Sequence, residues 1–139
     1  MDKFKEIRPI VLAIIKRNGK LLVQEGINSN THFYRCLGGG IEFQEKAQEA
    51  LKREFKEEIG ADILVGNYLG MIENIFTLNE RQAHELILVY EASLPEQFYK
   101  PAYQIPEGER KIPATWVDIE EFTTHKKMLY PEEILSFLF

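Results

Sequence analysis

Residues 38–61 read GGGIEFQEKAQEALKREFKEEIGA, three glycines and then a long charged run with no Gly or Pro until Gly60. From Gln44 to Ile59 the run is rich in Ala, Glu, Lys and Leu, the residues that lose least on entering a helix, so a helix is predicted there. Gly60 stands where a left-handed C′ residue is expected. At 100° per residue, Leu51, Phe55 and Ile59 form a narrow apolar stripe. Glu54, Glu57 and Glu58 fall at i, i+3 and i+4, so their carboxylates share an arc of about 100° beside that stripe. Ala47 and Ala50 are expected on the acidic side, leaving room for a ligand. Three like charges on one face repel, and Glu57 and Glu58 also sit in the last turn, where the helix dipole disfavours anions. One reading is a solvated acidic face offset by Lys46, Lys52, Arg53 and Lys56. The other is a seat for a divalent cation, because clustered carboxylates offer the hard oxygen ligands that Mg²⁺ or Mn²⁺ takes.

Upstream, Ile7–Lys16 reads as a buried strand, and Asn18-Gly19 is a strong two-residue hairpin signal before a return strand at Leu21-Leu22-Val23. Gly26 to Thr31 is expected to be a polar loop, and His32–Leu37 a short strand entering the glycines. Downstream, Ile63–Phe76 reads as one or two strands broken at Gly66 or Gly70. The turn Asn79-Glu80-Arg81-Gln82 leads to a strand from His84 to Ala92. Leu94–Arg110 holds three prolines and a glycine and is expected to be a loop, a flap over a site. Lys111–Val117 reads as a strand that Pro113 confines to an edge. Ile119–Phe122 and Pro131–Leu138 read as short helices. The sum is an α/β chain, a mixed sheet flanked by helices.

The chain has 139 residues, which suits one domain over 1–139, with 45% hydrophobic and 28% charged residues, ordinary for a globular protein. Seventeen Lys+Arg against 22 Asp+Glu give a net charge of -5, which disfavours nucleic acid and anionic membranes as partners. A small anionic ligand remains open if a cation mediates. Mean hydropathy is -0.26. The single cysteine, Cys36, cannot form an internal disulfide, and no apolar leader follows the first residues, so a cytoplasmic location is expected.

The spacing Gly39-x5-Glu45-x7-Arg53-Glu54-Phe55-x-Glu57-Glu58-x-Gly60-Ala61 resembles the Nudix box. All seven fixed positions match; Phe55 and Ala61 depart from the bulky aliphatic usual at their places. Leu37 stands where many members carry Pro, and Gln44 where many carry Gly. The resemblance implies a Nudix-like α/β/α sandwich. It also implies hydrolysis of a nucleoside diphosphate linked to another moiety, such as a nucleoside triphosphate, a nucleotide sugar or a damaged nucleotide, with Mg²⁺ or Mn²⁺ as cofactor. Glu57 and Glu58 would be the main metal ligands and Glu54 a further ligand or water-orienting group. Gly39 and Gly40 would offer backbone to metal or phosphate. Arg53 would hold carboxylates in place, with Glu45 and Gly60 structural.

Glu85 is the candidate general base from outside the box, against a plain reading as an edge carboxylate in solvent. Glu73 and His84 lie nearby, His84 as a polar strand end. Arg35 is a candidate for a phosphate, and Phe33, Tyr34 and Phe76 are candidates to stack on a base, against core packing for each. Trp116 is expected in the core. The alternative function is a nucleotide-sensing or protein-binding domain without hydrolysis. Which nucleotide is cut, and whether the chain forms a homodimer, stay open.

Overall fold

The computed structural model describes residues 5–28 and 30–139. Strand β1 (Ile7–Ile14) is followed by a two-residue β2 (Lys16–Arg17), β3 (Lys20–Asn28), β4 (Thr31–Cys36) and β5 (Gly38–Gly40). Helix α1 spans Ala47–Ile59. Then come β6 (Leu64–Leu78), β7 (Arg81–Ser93), β8 (Ala102–Glu107), β9 (Arg110–Asp118) and α2 (Ile119–Thr123), with 3₁₀ turns at Glu96–Phe98 and Glu132–Phe137. A four-stranded mixed sheet runs β5-β1-β7-β6, with β1 and β7 parallel. The second sheet runs β2-β3-β9-β8, with β4 on β3, and its ladders are antiparallel. The expected mixed sheet flanked by helices is therefore present, joined by a second sheet.

From Ile10 to Ile14 β1 is apolar and buried, because both of its faces are covered there. Ile10, Leu12 and Ile14 enter one core with Ile72, Ile87, Phe122 and Ile134. Val11, Ala13 and Ile15 enter the other with Leu51, Phe55, Ile63 and Tyr103. At Asn18-Gly19 both φ angles are positive, 54° and 75°, as a type I′ turn requires. The same two-residue solution recurs at Asn79-Glu80, with φ of 50° and 69°, so Arg81 and Gln82 belong to β7 rather than to the turn.

Several expectations change. The segment from Gly26 to Asn28 is strand, because Gly26 pairs with Phe33 and Ile27 with His32 across β3 and β4; Ser29, in the middle of the expected loop, lies outside the described residues. The 64–78 strand is continuous, absorbing its glycines in register shifts between Val65 and Gly70. The expected flap contains β8, paired to β9 from Ala102↔Thr115 to Glu107↔Arg110. β9 is thus an inner strand at 114–115, where β3 and β8 both pair with it, and Pro113 sits beyond the β3 ladder, where only its β8 side is paired. The 132–137 segment is a 3₁₀ turn, not an α-helix.

α1 begins at Ala47, three residues later than expected, because Gln44 takes a φ of 67°. Ala50 is fully buried in the core and Ala47 packs beside it, so the two alanines are covered by packing instead of opening room for a ligand. Gly60 caps the helix at φ 73°, its N–H reaching the Lys56 carbonyl at 3.0 Å. The helix start is fixed by charge. Glu45 Oε1 accepts the Glu42 N–H at 3.0 Å, and Arg53 binds both Glu45 oxygens, at 2.8 and 3.0 Å. A further Arg53 N–H reaches the Gly40 carbonyl at 2.9 Å, so one guanidinium ties β5, the connecting loop and α1 together.

Two measurements follow from this packing. Burial pushes the Cys36 thiol up to about 12, so a disulfide reagent at pH 8 should leave it unlabelled in native protein and label it on denaturation. Arg53 holds the Glu45 carboxyl down at about 2 against an ordinary 4.5, so its contribution is full above 4.5 and is lost as pH falls towards 2. Glu45→Gln should therefore lower the melting temperature at pH 7, and the gap from the parent should close as melts are taken from pH 5 towards pH 3.

Candidate functional site

Glu54, Glu57 and Glu58 of α1 line a cavity of about 440 Å³, opposite Ile105, Pro106, Glu107 and Ile112 of the β8–β9 hairpin. The three box acids therefore share one space, as their spacing predicts. Glu54 lies directly under Gly39. A β-carbon at that position would overlap the Glu54 carboxylate, so only glycine lets the loop come so close. Glu54 Oε1 accepts from Arg53 at 2.9 Å, and Glu57, with a side chain 61% exposed, is 3.5 Å from the same guanidinium.

Glu58 is the strained member. Its Oε2 is buried and has no hydrogen-bond partner. Burial, then the Glu54 hydrogen bond and the charges of Glu54, Glu57 and Glu107, raise its carboxyl to about 9. A buried anionic oxygen with no donor is costly unless a cation meets it. That donor set, all hard oxygens around an orphaned acceptor, fits a divalent ion. Among the described residues no three Asp, Glu, His or Cys side chains already converge on one point. Glu57 leans towards Arg53, and an ion would draw it from that 3.5 Å contact towards Glu58.

Beside this cavity lies a larger cleft of about 640 Å³ between the two sheets. Gln24, Glu107 and Ile112 line both, so the two spaces adjoin. Phe33 of β4 and Phe76 of β6 line the cleft from opposite sheets. The Phe33 ring occupies the space that a side chain at Gly26 would fill, and it rests 5.4 Å from the Tyr130 ring.

At the cleft, Arg35 of β4 donates to Glu85 Oε1 of β7 at 2.8 Å, an ion pair that bridges the sheets. Asn74 on β6 and Arg8 on β1 stand beside Glu85 in register, Asn74 at 3.4 Å from Oε1 and Arg8 at 3.9 Å from Oε2.

The sequence candidates separate accordingly. Phe33, Phe76 and Arg35 reach the cleft. Tyr34 does not: it is buried in the core with its ring edge to Phe122, because strand alternation turns it away from Phe33 and Arg35. Glu85 is no edge carboxylate, being 4% exposed on a strand that has β1 and β6 on either side. It faces the cleft rather than the cavity of the box acids. Gly40 presents its carbonyl to Arg53, and His84 lines a separate hollow with Lys5 and Ile75. Trp116 packs partly on the core and stacks on Tyr99 at 5.8 Å. Glu107, Asn74 and Arg8 carried no sequence signal, since cross-strand register brings them in.

Comparison with known proteins agrees with this geometry. A curated relative, the CTP pyrophosphohydrolase of Escherichia coli K12, is 36% identical over 62 residues, 43% of this chain. The match spans 46% of that relative's length, less than half. Among solved structures, a NUDIX hydrolase from Nitrosomonas europaea superposes with a TM-score of 0.69 at 20% identity, covering 94% of this chain and 85% of that one. The E. coli ORF135 protein gives 0.58 at 24% identity, over 93% and 84%. Those structural likenesses speak for the fold alone. The NUDIX domain profile, however, matches residues 6–136, nearly the whole chain, and with the box residues gathered at one cavity the chain belongs to the NUDIX family.

Proposed function

We infer that the protein hydrolyses the pyrophosphate bond of a nucleoside diphosphate linked to another moiety, with Mg²⁺ or Mn²⁺ as cofactor. The observation that carries this reading is the buried, unpartnered Glu58 Oε2 among Glu54, Glu57 and Glu107, at the end of a cleft with aromatic walls. The E. coli relative named for CTP supports a nucleoside triphosphate as the first substrate to try.

Glu57 and Glu58, with Glu54, would hold the ion. Bound there, it supplies charge neutralisation of the diphosphate and lowers the pKa of water. Arg53 keeps Glu54 and Glu45 in place. Glu54, held through Oε1 by Arg53, is the group placed to orient the attacking water and accept its proton. One water is consumed as one P–O–P bond breaks, and each product takes one of the two phosphoryl groups. Phe33 and Phe76 offer faces to a base. A reducing cytoplasm belongs to this reading, as the single buried Cys36 needs no oxidising compartment.

The test is phosphate or pyrophosphate release from a panel of nucleoside diphosphate derivatives, with and without Mg²⁺. Release should require the metal. Glu57→Gln and Glu58→Gln should each lower kcat by about 100-fold or more while circular dichroism stays unchanged. Near-normal turnover in both variants would overturn the ligand assignment. A chain that binds nucleotide, ignores Mg²⁺ and releases nothing is a sensing domain instead.

A further inference from the structure

The one buried charged residue of the chain among those described is Glu85, 4% exposed, and it is not in the cavity of the box acids. It lines the inter-sheet cleft together with Phe33 and Phe76. Its Oε1 is taken by Arg35 at 2.8 Å and Asn74 at 3.4 Å, while Oε2 receives only the looser 3.9 Å approach of Arg8. A carboxylate has about four acceptor positions, and a buried one left short of donors is costly. The cleft therefore presents a guanidinium donor and an under-used carboxylate acceptor side by side, in a space that Phe33 and Phe76 also line. A planar heterocycle that enters the cleft can rest on a ring and turn its hydrogen-bonding edge to that pair.

We propose that Arg35 and Glu85 determine base specificity, selecting nucleotides whose base carries an exocyclic amino group. The inference rests on the nucleotide reading given above. Cytosine gives its 4-amino group to Glu85 and its ring N3 to Arg35. Guanine gives its ring N–H and 2-amino group to the carboxylate and its 6-oxygen to Arg35. Uracil has one ring N–H flanked by two carbonyl oxygens, so a carbonyl must face the carboxylate whichever way it sits. Hypoxanthine keeps the ring N–H of guanine but leaves the second carboxylate oxygen without a donor. A site built to hydrogen-bond an N–H discriminates strongly against the analogue that lacks it, because its own buried groups are then unpaired.

Matched pairs of nucleoside monophosphates test this without any hydrolysis. Titration calorimetry of CMP against UMP, and of GMP against IMP, should show the amino-bearing member of each pair binding about tenfold tighter or more. In Glu85→Gln both ratios should fall towards one. An ion pair that merely staples the sheets predicts a lower melting temperature and equal weakening of all four ligands, and that result overturns the proposal. Equal affinities within each pair in the parent protein overturn it as well, even if the variant fails to fold, and so does the absence of binding by all four. Phosphate release scored separately on the triphosphates decides the hydrolytic reading on its own: turnover without base preference sinks the specificity and leaves the reaction standing.

Discussion

Arg53 is a single guanidinium among Glu42, Glu45, Glu54 and Glu57, within 3.7 Å of each, and the order of the site depends on it. Besides its 2.9 Å bond to Glu54, it bonds Glu45 and the Gly40 carbonyl, groups that do not line the cavity. Those bonds fix the axis of α1 against β5. Once that axis is fixed, Glu54 is brought under Gly39 and Glu58 inward. Charge balance then fails on the inner side: one cation is shared by the outer acids, and Glu58 is left with none. The same arginine that stabilises the helix start thereby creates, one turn on, a deficit that an external cation relieves.

The box and the helix were legible in the sequence because their signals are local. Spacing along α1 placed three acids on one arc, and the cavity contains all three. The Asn18-Gly19 hairpin was legible for the same reason, since two consecutive positive φ angles favour those residues. What was not legible depends on partners remote in sequence. Gly26 reads as a loop residue alone, yet it is strand because Phe33 lies across it. The prolines at 101 and 106 argue for a flap, yet the ladder to β9 holds Ala102–Glu107 extended. Glu85 looked like a solvent-facing carboxylate because alternation gives a face but not which face is covered. Only the meeting of β4 with β7 shows that Arg35 is there to receive it.

The cleft owes its existence to a division of labour between the sheets. One face of each sheet is closed by apolar packing along most of its length, and the closure ends at the Arg35–Glu85 bridge. At the cleft the strands carry Phe33, Phe76 and Arg8 beside a few aliphatic residues, and the space stays open. The helix acids sit on a different element from these groups, and the hairpin residues Glu107 and Ile112 touch both spaces. The acids of the cavity and the side chains of the cleft thus come from separate elements, with one hairpin in common.

β1 has a consequence of another kind. Its alternate residues belong to two different cores, so neither core has a complete wall without it. Its backbone is also hydrogen-bonded on both edges, to β5 and to β7. Opening one half of the molecule would expose the back of the strand that the other half is packed on. The two halves are therefore bound to melt as one cooperative unit, and the amides of Ile10 to Ile14 would be among the last to exchange with deuterium.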